Sequence, residues 1–573
     1  MQQKRWKFRE SSERSSVLAL ADSLNISTVL SELLVRRGIT NFFEAKTYFR
    51  PDIESLYDPF LMNGMEDAAK RVIKAITGNE KITVYGDYDV DGTCSAALMF
   101  LFIKELGGNV DVYIPNRLTD GYGLSNFGID NIRERNTSLI IAVDCGITAV
   151  NEVEYAKQFG IDLIICDHHQ PKEEIPDAVA VLDPLKPGCD YPFKYLSGAG
   201  VAFKLARAVS DLFGKKDMVL KYLDLVALAA AADIVPLMDE NRILVRAGID
   251  SINSNPRPGI KALITSARMQ PGDLSAGQIV FTIAPRINAV GRLGDANRAV
   301  DLFVTEDENE AIRLAQVLES ENYERRKIDE VTFAHAVKMV DDYVDFENDI
   351  AIVLHSDDWH AGVIGIVASR MVEKFHRPSI MLSTIDGVAK GSARSIPGVN
   401  IYQAIENCED LLLQFGGHEA AAGLAIEIEN IPEFRKRFNL ALKQTLTEDD
   451  ILPEIKVDMK ISLSEITPKF LRILDQFAPF GPLNMRPVFV AEDVSLISQP
   501  RIVGSNHFLA SVRQNGNDKV FDTIGFNLGG FVNLIDKEQN LLDIVFTIEK
   551  LNKDGRTYPQ LRLKDIHIKE IAR

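Results

Sequence analysis

The stretch Ile161-Asp162-Leu163-Ile164-Ile165-Cys166-Asp167-His168-His169 constrains this chain more than any other. A short Ile-rich run breaks off into one acid and two imidazoles. Such a run reads as a buried parallel strand. The residues just past it then sit where open α/β sheets bind ligands. The pattern recurs upstream. Residues 81–86 run into Asp87-Tyr88-Asp89-Val90-Asp91-Gly92, and residues 138–143 run into Asp144-Cys145-Gly146. Between these runs lie helical stretches, such as 94–106, closed by Gly107-Gly108. Alternating strands and helices predict right-handed crossovers and a parallel sheet, so all three acidic ends fall on one edge.

A lone Asp after a strand is as often the N-cap of the next helix. An Asp-x-Asp-x-Asp-Gly loop also suggests an EF-hand, but no Glu stands at its twelfth position and a strand precedes it. Three acidic ends beside a His pair are a different matter, because clustered carboxylates repel unless a cation sits among them. Carboxylates with imidazole suit a divalent metal.

Asp167-His168-His169 resembles the signature of the DHH phosphoesterases, residues 87–92 resemble that family's first motif and Asp144-Cys145-Gly146 its second. Asp233, in Ala231-Ala232-Asp233-Ile234-Val235-Pro236, resembles its fourth. Within the family the chain is most similar to the single-strand-specific exonucleases, over nearly its whole length. Relatives commonly carry a His ahead of the first acidic pair, where Tyr85 and Gly86 stand here.

The remaining segments are read in chain order. Residues 1–60 form a helical lead-in, with helices over 25–38 and 41–49, and residues 61–304 form the catalytic domain. After a strand ending at Pro115, the loop 116–124 places Arg117 and Tyr122 at the metal edge. It is an ordinary surface loop on composition alone, but the resemblance puts it on the DNA path, where Arg pins a phosphate and Tyr stacks on a base. Ser197-Gly198-Ala199-Gly200 resembles a family segment and is a weak phosphate-binding signal. Pro285-Arg286-Ile287-Asn288-Ala289-Val290-Gly291-Arg292 also resembles a family segment; Arg286 and Arg292 either close an interface or contact DNA, the guanidinium fork favouring phosphate. Residues 305–345 form a long connecting helix, with capping-box spacing at Thr305 and Glu308 and an apolar face of Ala311, Leu314, Ala315 and Leu318. Residues 346–450 resemble the DHH-associated domain, with Gly416-Gly417-His418-Glu419-Ala420-Ala421-Ala422-Gly423 as its hallmark; Ser392, Arg394 and His418 are its candidate phosphate contacts. Residues 451–573 are a linker and, beyond a Pro/Gly hinge at 480–487, five short strands, which suggests an OB-fold. Phe508, Phe521, Phe526 and Tyr558, with Arg513, Lys519 and Arg556, are candidates for a single-strand surface, half of those rings being core. The fold class is therefore α/β: a parallel-sheet DHH catalytic domain, a smaller α/β DHH-associated domain and a C-terminal OB-like β-barrel.

The length of 573 residues exceeds one core, and 46% hydrophobic with 25% charged residues is ordinary for a globular protein. A net charge of −18 excludes a uniformly basic coat but not a local basic groove. The five cysteines have no zinc spacing and read as free thiols in a reducing cytoplasm. No apolar run reaches the ~20 residues of a membrane span, and no signal peptide is read at the start.

The resemblance implies a metal-dependent exodeoxyribonuclease that degrades single-stranded DNA 5′ to 3′ to mononucleotides in DNA repair and recombination. It implies two divalent ions, Mn2+ or Mg2+, held by Asp87, Asp89, Asp91, Asp144, His168 and Asp233, with Asp144 bridging and His169 orienting the site or touching the scissile phosphate. Which acids of the 87–91 loop bind directly stays open. A single-strand-binding protein and a RecQ-type helicase are the implied partners. The alternatives are a nanoRNase or cyclic-dinucleotide phosphodiesterase, which the barrel and the connector argue against, and a non-catalytic replication scaffold, which the intact acids argue against.

Overall fold

Parallel strands β1 (Lys81–Tyr85), β2 (Asn109–Tyr113), β3 (Leu139–Val143), β4 (Asp162–Cys166) and β5 (Ala180–Leu182) form one sheet in the order β2-β1-β3-β4-β5. This is a computed structural model, and it describes residues 4–116, 123–514, 518–553 and 556–570. β3 is buried along its whole length, as a strand covered on both faces must be. From β1 the chain crosses to one side to make β2, then returns to the other side for β3. That reversal leaves a crevice outside the carboxyl ends of β1 and β3, where doubly wound sheets bind ligands. Three buried helices cover the sheet or back the crevice: α1 (Val90–Glu105), α2 (Gly198–Leu212) and the Ala-rich α3 (Leu223–Ala232). Two further helices, α4 (Ala284–Leu293) and the 36-residue α5 (Glu308–Tyr343), follow. The cap of α5 differs from the expected box. Asp307, not Thr305, caps it, its Oδ1 accepting from the Asn309 amide at 2.8 Å. The apolar face of α5 is as expected, with Ala311, Leu314, Ala315 and Leu318 buried in the catalytic core.

Two compact units result, one of Arg9–Glu321 with Val457–Arg573, the other of Met1–Phe8 with Asn322–Lys456. The second unit holds a mixed five-stranded sheet ordered Leu412–His418, Ala421–Ile426, Val388–Arg394, Ser379–Ile385 and Ile352–Ser356. In the first unit the C-terminal strands close into a barrel. Phe489–Leu496 pairs with both Asn540–Lys553 and His507–Gln514, and Phe521–Gly525 pairs with His507–Gln514 and with Arg556–Glu570. The last two strands are longer than the sequence suggested, 14 and 15 residues paired as one ribbon.

The N-terminal helices belong to this barrel's core. Leu20, Leu30, Leu33, Leu34 and Tyr48 pack in one apolar cluster with Phe477, Phe489 and Phe546. The 480–487 segment, expected as a hinge, is pinned: Asn484 is fully buried, accepts from Arg37 and Tyr48, and donates to the Phe477 and Pro479 carbonyls. Arg242, from the catalytic region, ties these parts together. Its buried guanidinium donates to the carbonyls of Tyr48, Gln476, Phe477 and Ala478 at 2.8–3.0 Å and lies over the Tyr48 ring. All five cysteines are buried and free. No single helix among the described residues is long and apolar enough to cross a membrane.

Candidate metal centre

Asp87, Asp89, Asp91 and Asp144 arrive together at the crevice, and Asp89 and Asp91 are held there by different devices. Asp89 is both an N-cap and a member of the cluster: its Oδ1 accepts the Gly92 amide at 3.0 Å. Gly92 is obligatory, because a Cβ there would lie 2.4 Å from the Asp87 carbonyl oxygen. Asp91 is gripped by the first turn of α2, its oxygens accepting the Gly198 and Ala199 amides at 2.7 Å each. The glycine-rich start of α2, a weak phosphate signal in the sequence, thus serves a carboxylate of the protein itself. A helix N-terminus favours any anion, and Asp91 is already there. Gly198 also abuts Asp144, where a Cβ would sit 2.6 Å from the Asp144 Cβ. Asp144 adopts φ +60°, and Ile234, next to Asp233, adopts φ +62°. A β-branched residue there is strained by ~1–3 kcal/mol, and such strain clusters at functional sites.

His168 reaches into the middle. Its Nε2 lies 3.1 Å from Asp144 Oδ1, 3.6 Å from Asp233 Oδ2 and 3.9 Å from Asp91 Oδ2. Potential ligand atoms fall into the groups Asp91–His168–Asp233, Asp87–Asp89–Asp144 and Asp144–His168–His169, each mutually within 4.8 Å. Asp144 links the first two, since it belongs to the second and touches His168 of the first. Asp167 stays behind the centre, buried. Its Oδ1 accepts both His amides and His169 Nδ1 at 2.7 Å, while Oδ2 accepts the Ile147 amide.

The electrostatics are those of a cation site. Burial first, then repulsion from Asp89, pushes Asp91 up to about 7; burial, then Asp91 and Asp89, pushes Asp233 up to about 8. Asp144 is raised well above the carboxylate range by burial and by its four acidic neighbours. Burial and the adjacent His169 lower His168 to about 4, so its ring is neutral at pH 7 and fit to be a ligand. Burial opposes charge on His169 too, but the Asp167 hydrogen bond wins and raises it to about 9. Hard carboxylate oxygens with one neutral imidazole match Mg2+ or Mn2+.

Three comparisons bear on this centre. Residues 81–230 match the model described as "DHH family, N-terminal domain", residues 348–444 the "DHHA1 domain" and residues 457–565 the "RecJ OB domain". The chain is 38% identical over 568 residues to the Bacillus subtilis single-stranded-DNA-specific exonuclease RecJ, covering 99% of this chain and 71% of that one. The chain belongs to the RecJ family. The Escherichia coli RecJ is 35% identical over 486 residues, 82% of this chain and 84% of that one. RecJ from Thermus thermophilus in complex with Mn2+ superposes with a TM-score of 0.83 at 27% identity over 98% of this chain and 79% of that one; the Mg2+ complex of RecJ from the same organism gives 0.77 at 26% identity over 98% and 78%.

Set against this RecJ-family centre, the sequence-marked residues divide. Asp87, Asp89, Asp91, Asp144, His168, His169 and Asp233 converge. Arg286 is 9% exposed, ion-paired with Glu319 and donating to the Thr282 carbonyl. Arg292 lies further along the same helix, half-buried. Arg117 and Tyr122 fall outside the described residues. Ser392, Arg394 and His418 belong to the second unit. His418 is exposed at a strand end, not on a helix, and the register His418–Ala421–Arg394 sets it two strands from Arg394. Arg394 Nη1 donates to Ser392 Oγ at 3.0 Å. The first turns of the helix Ala361–Phe375 press on this pair so closely that a Cβ at Gly365 would lie 2.9 Å from Ser392 Oγ. Of the barrel aromatics, Phe508 and Phe521 are core, while Phe526 and Tyr558 are 44% and 45% exposed; Arg562 stacks over Phe526 at 4.7 Å.

Asp183 is a further buried acid, outside the three ligand groups. It is fully buried at the end of β5, raised to about 7 by burial, and only its Oδ1 has a hydrogen-bond partner, the Leu185 amide. In the sequence it stands as one more strand running into Asp-Pro.

Proposed function

We propose that this chain is a metal-dependent exonuclease that removes mononucleotides from the 5′ end of single-stranded DNA in repair and recombination. The observation that carries the reading is the pair of ligand groups linked through Asp144 in a chain of the RecJ family. Asp91, His168 and Asp233 would hold one divalent ion, and Asp87, Asp89 and Asp144 the other, Mn2+ or Mg2+. Bound there, such ions lower the pKa of water and offset charge on a phosphodiester. The side chains do the rest. Neutral His168 offers a lone pair without competing for a proton. Cationic His169, its Nδ1 held by Asp167, offers its other ring N–H as a donor to a phosphate oxygen.

The centre itself has no polarity, so direction needs a terminal-phosphate pocket. We assign it to Ser392 and Arg394 beside the start of the helix Ala361–Phe375, which combines a guanidinium, a hydroxyl and a helix N-terminus. His418 is a further donor on that sheet. Phe526, Tyr558 and Arg562 offer stacking to the strand on the barrel. A single-strand-binding protein and a RecQ-type helicase belong to the same proposal as partners, tested by co-purification with the intact chain.

The test is release of nucleotide from a long single strand, a duplex and a dinucleotide, with Mn2+, with Mg2+ and with chelator. Metal-dependent release from the long single strand, labelled nucleotide leaving first from the 5′ end, is expected. Preference for the dinucleotide, or release that persists in chelator, would refute the reading.

A further inference from the structure

The loop that carries three of the acids is clamped from behind by α4, and neither clamp residue has been given a part in the reaction. Asn288 Oδ1 accepts the Val90 amide at 3.1 Å. That amide is one of the first N–H groups of α1, which have no partner within the helix; Asp89 satisfies Gly92 instead. One turn further along the same face of α4, Gly291 lies against the loop so closely that a Cβ would be 2.5 Å from the Tyr88 carbonyl oxygen. The clamp therefore grips Tyr88 and Val90, while Asp87, Asp89 and Asp91, which alternate with them, carry the carboxylates. The helix is itself anchored by the Arg286–Glu319 ion pair, two residues before Asn288. A neutral amide suits this place, since it accepts a hydrogen bond without adding another charge to a crowded cluster.

We propose that Asn288 is a positioning residue for the ion held by Asp87, Asp89 and Asp144, fixing their loop through Val90, with Gly291 setting the depth at which α4 docks. This rests on the two-ion reading above. Groups that orient metal ligands from behind change affinity ~10–100-fold when removed. Asn288→Ala should therefore weaken one ion by ~10-fold and leave the Asp91–His168–Asp233 ion at wild-type affinity. Turnover should recover at high Mn2+, with KM for DNA unchanged.

The experiment is a Mn2+ titration of the full-length chain followed by electron paramagnetic resonance, with metal-free melting temperature measured alongside. If Asn288→Ala also lowers that melting temperature, Gly291→Ala gives the reading, because it keeps the amide bond and displaces the same loop at Tyr88. Selective loss of one ion in either variant supports the inference. Two ions at wild-type affinity, or both weakened together, overturns it. A wild-type chain that binds fewer than two ions refutes the two-ion reading instead, so the failures are distinguishable.

Discussion

Replacing Asp233 by Asn should reverse in sign with metal. Without metal, Asp233 is raised from 3.8 to about 8 by burial and by Asp91 and Asp89. A carboxyl whose folded pKa lies above its unfolded value binds more proton when folded, so its contribution falls as pH rises from about 4 to about 8 and is then flat. The rise from 3.8 to about 8 corresponds to about 6 kcal/mol, at 1.36 kcal/mol per tenfold change in proton affinity. Asp91 and Asp89 share the same repulsion, which relaxes when any one of the three is neutral, so about half belongs to Asp233 alone. Asp233→Asn should then stabilise the metal-free protein by about 2–3 kcal/mol at pH 8 and by less than about 1 kcal/mol at pH 5. For a cooperative region of ~250 residues this is ~5–10 °C at pH 8. Comparing variant with wild type removes the opposing contribution of His168, lowered to about 4, which both chains share. With metal at 100 times its dissociation constant the wild type gains ~2.7 kcal/mol per ion, which the variant loses at that group. The assay is thermal melting from pH 5 to 9 in chelator and in Mn2+. A variant less stable than the wild type in chelator at pH 8 would refute the argument that these acids await a cation.

Four further outcomes are expected. Asp144→Ala should lower hydrolysis at least ~1,000-fold, of the order seen when a single preorganised charge-stabilising group is lost from an active site, while the far-UV circular dichroism spectrum stays unchanged; near-wild-type turnover would contradict its linking position. Arg394→Ala should erase most of the preference for 5′-phosphorylated over 5′-hydroxyl oligonucleotides, read as initial rates on matched strands, and a retained ratio would move the pocket elsewhere. Phe526→Ala with Tyr558→Ala should weaken binding to long single strands ~10-fold or more at unchanged melting temperature, measured by fluorescence anisotropy. Leu33→Ala should cost about 2–5 kcal/mol in denaturant unfolding and loosen the barrel, since that side chain is buried in the barrel's core.

The convergence of the acids and His168 was legible because strand polarity is a local property. Each apolar run announced a parallel strand, and parallel strands put Asp87–Asp91, Asp144 and His168 on one edge whatever the loops do. Asp233 was reached through the family resemblance and through its place at the end of a buried Ala-rich helix. What stayed hidden depends on residues far apart in sequence. Asp91 is held by amides over a hundred positions away, at Gly198 and Ala199. The Arg286–Glu319 ion pair joins two helices and could not be read from either alone. At the start of α5, two neighbouring cap formers competed and Asp307 won over Thr305. The barrel's aromatics were readable as a set, but not which of them turn inward, because that depends on how the closed barrel pairs strands far apart in sequence.

The shared core of the N-terminal helices and the barrel, tied through Arg242, also dictates an order of events at synthesis. Tyr48 leaves the ribosome more than 400 residues ahead of Phe477 and Phe489, the partners its helix packs on. At ~5–20 residues per second, the apolar faces of Leu30, Leu33 and Leu34 wait roughly 20–90 s for cover. The catalytic sheet, made of near neighbours in sequence, can form within that interval, so a nascent chain would carry an assembled metal centre and an uncovered apolar patch together until its last strands emerge.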